Sequence, residues 1–441
     1  MKRMHVMFVA VLSLSSVAFT QTTSIRLTLA DAISRGLANS HRIAEIKARE
    51  EGARAAAHGA DLANRPVVSA GAGYSRTNHV TDFSFPQPNG TRLVVYPDIP
   101  DNVVSRVSFQ WPIFTSGRTE ALERAARAEV TAVAAEIEAA RADLRFEIVR
   151  AYWAAATARE TLRVLEESAA RVEAQVRDAR QRFDVGLIPP NEVTSLEAQR
   201  ARERAQLIEA ANIRESALID LARLVGAPLG AVLELTDPIV QPAPDTRLST
   251  AGAMVDAALG ARPELKALAS RLTGAESRQA AAAVATRPTI NFTGGVDYAN
   301  PNPRIFPRKG EWQESWDLGV TVNWTLFDFG RSKAQMAEAT AAVKAARERM
   351  AEVESVVSAD VRQRLLDRES ALAMVSASED AVKSAAEARR AVSDRFAAGV
   401  ATSTDVIVAQ VALLEIELTR TRAIASLRLA EARLERSLGG W

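Results

Sequence analysis

The sequence predicts a mainly α-helical protein with a smaller β part, built as two copies of one unit. Three observations carry this reading. Two Ala-rich runs, opened by Gly117-Arg118 and Gly330-Arg331, continue for about 65 residues each, roughly 100 Å of helix at 1.5 Å per residue. Both end in the same kind of break, Arg182-Phe183-Asp184-Val185-Gly186-Leu187 followed by Pro189-Pro190, and Arg395-Phe396-Ala397-Ala398-Gly399-Val400. Ahead of each run lies a stretch rich in Gly, Ser, Thr and aromatics. A helix of that length cannot bury its apolar stripe alone, so each run must pair into a coiled-coil hairpin, a helical array or a tube wall.

In chain order, Lys2 and Arg3 precede an apolar run, Val6 to Phe19, and small residues follow around Ala18 to Gln21. That is the pattern of an export leader, assigned to residues 1–20. Leu27 to Leu62 is expected to be helical, with a break at Asn39-Ser40-His41 and a stop at Arg65-Pro66. Val67 to Ser75 is strand-like, Thr81 to Asp101 is expected as a long loop, and Val103 to Phe114 is a second strand. In that strand Val103, Val107, Phe109, Trp111 and Ile113 share one parity while Arg106, Ser108 and Gln110 take the other, the signature of a two-sided strand.

Within the first long run, Leu165, Ala169, Val172, Val176, Ala179 and Phe183 recur at four-three spacing, a heptad seam. Val193, Leu196, Leu207, Leu218, Leu221 and Val225 carry the return helix. Pro228, Pro238, Pro242 and Pro244 then mark a linker. Beyond it Ile290, Phe292, Val296 and Tyr298 alternate with Thr289, Asn291, Thr293 and Asp297, and Trp316, Leu318, Val320, Val322, Trp324 and Leu326 with Ser315, Asp317, Thr321, Asn323 and Thr325.

The halves align. Trp111-Pro-Ile-Phe-Thr-Ser-Gly-Arg118 pairs with Trp324-Thr-Leu-Phe-Asp-Phe-Gly-Arg331, and the offset from Arg118 to Arg331, 213 residues, also relates the two turns. The expected organisation is a leader over 1–20, a first repeat over 21–226, a linker over 227–248 and a second repeat over 249–441. The first repeat holds a β-hairpin at 66–114 and a helical hairpin at 117–225; the second holds them at 288–327 and 330–438.

The formal net charge is +1 with 25% charged residues, so no basic field attracts nucleic acid, and no Lys/Arg cluster interleaves with aromatics. There is no cysteine, which excludes thiol catalysis, Cys-ligated zinc and disulfides. The histidines His5, His41, His58 and His79 form no metal-binding pattern, and no nucleophile elbow or phosphate loop occurs. The reading is a non-enzyme with no cofactor and no metal.

No stretch after the leader approaches the roughly 18 consecutive apolar residues of a spanning helix. Membrane entry would therefore be as a closed β-barrel. Tyr74, Trp111, Tyr298, Trp316 and Trp324 lie in or beside the strands, where interfacial aromatics of a lipid-facing barrel belong. Four strands cannot close a barrel, because barrels begin at about eight; two chains would supply eight strands and three would supply twelve.

These motifs resemble the TolC-like outer membrane efflux proteins. The resemblance rests on Trp-x-x-Phe-x-x-Gly-Arg at 111–118 and 324–331, on the Arg-Phe-x-x-Gly turn followed by Glu192-Val193 or Asp405-Val406, and on the duplicated order. It implies a homotrimer with a twelve-stranded β-barrel in outer-membrane lipid and an α-barrel of helical hairpins in the periplasm of a Gram-negative bacterium. It further implies a periplasmic adaptor protein, and through it an inner-membrane transporter, docking at tips that contain Arg182, Gly186, Leu187, Arg395, Gly399 and Val400. Glu192 and Asp405 would be acids of a periplasmic gate, against the simpler role of helix N-terminal acids complementing the dipole. The family's Asn-Pro break is Asn39-Ser40-His41 here, and its second gate acid is Val408. The expected function is a passive exit duct for small molecules, with type I protein secretion and a soluble periplasmic coiled-coil scaffold as alternatives.

Overall fold

The computed structural model of the protein describes residues 24–239 and 250–440. The expected leader and residues 240–248 of the expected linker lie outside the described residues. The element order is β1 (Ser24–Leu27), α1 (Leu29–Asn39), α2 (His41–Asp61), β2 (Val67–Arg76), β3 (Phe83–Pro86), β4 (Arg92–Tyr96), β5 (Asp101–Phe114), α3 (Arg118–Asp184), α4 (Pro190–Leu224), β6 (Val232–Leu235), α5 (Ala251–Ala261), α6 (Pro263–Ala283), β7 (Thr289–Asn300), β8 (Gln313–Asn323), α7 (Arg331–Ala397) and α8 (Ser403–Ser437). The long helices α3 and α7 each have 67 residues, and their return helices α4 and α8 each have 35. The duplication expected from the motifs is thus present in the lengths themselves.

The chain divides into two compact units. One holds the described residues of Met1–Ser40, Leu144–Arg247 and Leu366–Leu434. Its helices bury an apolar seam: Leu162, Val164, Leu165, Ala210 and Leu414 form one cluster, and Val172, Val176, Ala179 and Leu196 form the next. The heptad reading of α3 therefore holds as far as Ala179. Phe183, expected to continue the seam, is instead 42% exposed, one residue before α3 ends.

The same unit contains a pairing that the sequence reading missed. Leu27 was expected in a helix and Val232–Leu235 in a linker; instead β1 and β6 pair in parallel, Ser24 with Val232 through Leu27 with Leu235. Buried Tyr152 anchors this pair, its single hydroxyl proton shared between the Leu27 carbonyl at 3.1 Å and Asp237 at 3.0 Å. Burial pushes the phenol up to about 12, so it stays protonated and serves as a structural donor. The break at Asn39-Ser40-His41 is present, Ser40 leaving α1 in extended geometry.

The other unit holds the described residues of His41–Asp143, Leu248–Leu365 and Glu435–Trp441. Met254, Val255, Ala258, Leu265, Val357 and Val361 form its helical core. Its four-stranded sheet has the order β2-β5-β7-β8, antiparallel throughout, with β2 and β8 as edges. The stretch expected as a loop, Thr81 to Asp101, contains the hairpin β3-β4, whose few residues lie among the Pro, Asn and Asp that suggested a loop. Strand β8 stops at Asn323, so Trp324 and Leu326 lie beyond it rather than within it.

The repeated Trp-x-x-Phe-x-x-Gly-Arg motif is the joint from strand to helix. Ser116 and Gly117, like Phe329 and Gly330, have positive φ, two consecutive left-handed residues that reverse the chain into α3 or α7. Arg118 and Arg331 donate their backbone N–H to the Thr115 and Asp328 carbonyls at 3.0 and 3.2 Å.

Candidate functional site

Cross-strand register defines two faces of the sheet. Ala70, Val107, Val296 and Trp316 form one row, Val68, Phe109, Gly294 and Leu318 the next, and Trp111, Phe292 and Val320 a third. This apolar face is exposed: Val107 at 53%, Val296 at 54%, Trp316 at 71% and Val320 at 63%. A monomeric soluble protein does not leave a continuous apolar surface of this kind in water.

Tyr74 and Tyr298 lie toward the end of the sheet that carries the loops 77–100 and 301–312, and Trp111 and Trp324 toward the end where the helices begin. The Tyr74 hydroxyl donates to Asp101 at 2.8 Å, the Trp111 indole donates to the Asn64 carbonyl at 2.9 Å, and Tyr298 stacks on Trp312 at 4.9 Å. Trp316 departs from the interfacial pattern. Its row lies one step inward from the Tyr298 row.

The opposite face is polar and carries a charge network that the parity argument touched without assembling. Arg106 donates to Asp297 at 2.6 Å and to Asp317 at 2.8 Å. Arg304, from the loop between β7 and β8, donates to Asp317 at 2.8 Å. Gly295 makes the approach possible: a Cβ there would come within 2.8 Å of an Arg106 guanidinium nitrogen.

At the other set of candidate residues, the two hairpin turns have the same backbone. Gly186 and Gly399 take φ of 75° and 77°, Leu187 N–H donates to the Arg182 carbonyl, and Val400 N–H donates to the Arg395 carbonyl, both at 2.9 Å. This is the left-handed helix stop that glycine favours. The following apolar residues do not pack back: Leu187 is 73% and Val400 64% exposed. The Arg182 guanidinium sits over the Phe396 ring at 5.1 Å, joining one turn to the other. A cleft of about 290 Å³ lies here, lined by Arg182, Leu196, Phe396, Ser403 and Val406 among others.

Glu192 and Asp405 both serve the N-terminus of α8. The Thr402 N–H and hydroxyl donate to the Asp405 carboxylate at 2.9 and 2.8 Å, and the Asp405 N–H donates back to the Thr402 hydroxyl at 3.3 Å. The Thr402 backbone N–H, then its hydroxyl, hold this exposed carboxyl below its ordinary range. Glu192 reaches from α4 to accept the Ser403 N–H at 3.3 Å. In this conformation both carboxylates accept backbone N–H groups at the start of α8.

Among the described residues, no helix is long and apolar enough to cross a membrane, and no three His, Asp or Glu side chains group as metal ligands. The model of the family described as outer membrane efflux protein matches residues 32–227 and 254–440. The chain is similar to protein CyaE of Bordetella pertussis, 29% identical over 52% of this chain, and to outer membrane protein TolC of Vibrio cholerae, 24% identical over 67% of it. The matched stretches span about half of CyaE, 47%, and 67% of TolC. Among solved structures, the outer membrane protein VceC of Vibrio cholerae has the same fold, with a TM-score of 0.78 at 21% identity, covering 93% of this chain and 96% of that one.

Proposed function

Because the chain belongs to the outer membrane efflux protein family, and is an outer-membrane protein with a large periplasmic portion, we propose that it is the exit duct of a tripartite efflux system. The observation that carries this is the four-stranded sheet with one exposed apolar face, one polar face and two unpaired edges. Lipid covers such a face, and copies of the same chain pair such edges. Three copies give a twelve-stranded barrel within the known range of bacterial barrels, which begin at about eight strands. The sheet's exposed face also disfavours a soluble periplasmic scaffold.

The duct holds no energy source. Transport is passive through it, driven by an inner-membrane transporter that reaches it through a periplasmic adaptor. The exposed Leu187 and Val400, held out by the Gly186 and Gly399 stops with Arg182 and Arg395 beside them, supply apolar anchors for that adaptor. Glu192 and Asp405 act as gate acids by holding the N-terminus of α8, so that losing both loosens the second turn from the first.

The test has two stages. Light scattering on protein extracted from the envelope is expected to give a trimer mass, and planar bilayers are expected to show discrete conductance steps. A monomer released without detergent would sink the reading. The Glu192→Ala, Asp405→Ala double variant should conduct more and lose cation preference; unchanged values would remove the gate role alone.

A further inference from the structure

Segment 301–312, which joins β7 to β8, does not extend away from the strand ends. It is stitched to the polar face of the sheet at three points. The Asn302 side chain, in a residue 1% exposed, donates to the Gln313 carbonyl and the Ser315 hydroxyl, both at 3.0 Å, and its amide oxygen Oδ1 accepts the Arg304 N–H at 2.9 Å. Arg304 then lies across the face, 2.8 Å from Asp317 and 3.9 Å from Asp297. Arg308 donates to the Tyr96 hydroxyl at 2.7 Å and to Asn102, and sits over the Tyr96 ring at 5.1 Å. The segment is thereby tied to β4 and β5 as well as to its own hairpin.

Asp297 and Asp317 are already engaged by Arg106, which lies flat over Gly295. Two guanidinium groups and two carboxylates therefore form one closed network. Such paired networks fix geometry more than they add stability, because each charge gives up water to enter. The feature they fix here is the position of a loop over the face that the exit-duct reading assigns to the lumen.

We propose that segment 301–312 is a second constriction of the channel, at the end of the barrel remote from the helices, and that the Arg304–Asp317 pair is its clasp. This rests on the polar face lining the lumen. In a trimer three such segments approach the axis, narrowing the exit mouth and setting the size of what leaves. Arg308 and exposed Lys309 add positive charge to the same rim.

The test uses purified full-length protein in planar bilayers, with polyethylene glycols of graded size on the loop side. That readout reports the mouth facing the polymer. Arg304→Ala, and replacement of residues 303–309 by Gly-Ser-Gly, should each move the exclusion cut-off to larger polymers. In the Glu192→Ala, Asp405→Ala background they should also raise unitary conductance about twofold, as expected when a narrow element dominates pore resistance. Conducting channels with an unchanged cut-off overturn the constriction and leave the exit duct standing; absence of conductance in the wild type overturns the exit duct itself.

Discussion

The two helical hairpins are equal in length and turn geometry, yet they bury their seams differently. Over its last turns α3 buries Val172, Val176 and Ala179 against Leu196 of α4. The positions one repeat on, Ala385, Arg389 and Val392, are only half-buried, and no residue of α7 beyond Ser378 is buried. A salt bridge from Arg180 to Glu197 closes the first hairpin, where the second has Ser393 and Gln410. Duplication has kept what the backbone dictates, which is length and stop, and released what packing dictates. The first hairpin buries its own seam, whereas the outgoing helix of the second leaves its terminal turns only partly covered.

The largest expected effect tests this contrast directly. Val176→Ala should lower stability by about 2 kcal/mol, from lost burial and the cavity left behind, whereas Arg389→Ala at the equivalent position should change it by less than about 0.5 kcal/mol. Denaturant unfolding of detergent-solubilised protein, followed by circular dichroism, measures both. Equal losses would mean that the second hairpin carries a seam of its own.

Next in size, Gly186→Ala and Gly399→Ala should each cost about 1 to 2 kcal/mol, the penalty of an L residue in the left-handed region. Here the two hairpins should behave alike, and a marked inequality would break the equivalence of the turns. A smaller effect separates the two acids. Asp405→Ala should speed amide exchange several-fold at residues 403–406, while Glu192→Ala should speed it mainly at Ser403, because one carboxylate belongs to a reciprocal cap and the other makes a single bond.

The smallest effect is a pH dependence. The Thr402 N–H and hydroxyl depress Asp405, and the Arg180 guanidinium depresses Glu197. A depressed carboxyl stabilises the fold above its ordinary value and loses that contribution as the pH falls through the lowered one. Both hairpin ends should therefore loosen only below pH 3.8 to 4.5, the ordinary values of these groups. Exchange rates that already rise between pH 7 and pH 5 would contradict the assignment.

What was legible in the sequence was local. The long helices announced themselves through composition and through Gly186 and Gly399, and the sheet's faces through alternation in β5, β7 and β8. The exposed Leu187 and Val400 follow from the same turn. The rest depended on distant partners. Strand β1 pairs with residues 208 positions away, and nothing in Ser-Ile-Arg-Leu marks it as a strand. Arg106 meets its two aspartates 191 and 211 residues later; alternation placed all three on the polar parity, but only register brings them together. The place of Asp405 at a helix N-terminus was visible in the sequence, whereas its reciprocal cap with Thr402 and the reach of Glu192 to Ser403 were not.

The exposed face of the sheet has one more consequence, which concerns how the protein is made rather than how it works. Before lipid covers Trp316, Leu318, Val320 and Val322, the chain must travel through water with that surface bare and with β2 and β8 unpaired. Edges and apolar face together are what drives strands to join the wrong neighbour. A newly made chain is therefore in a race between escort to the membrane and aggregation, and the edge strands can be closed safely only in the same event that buries the face.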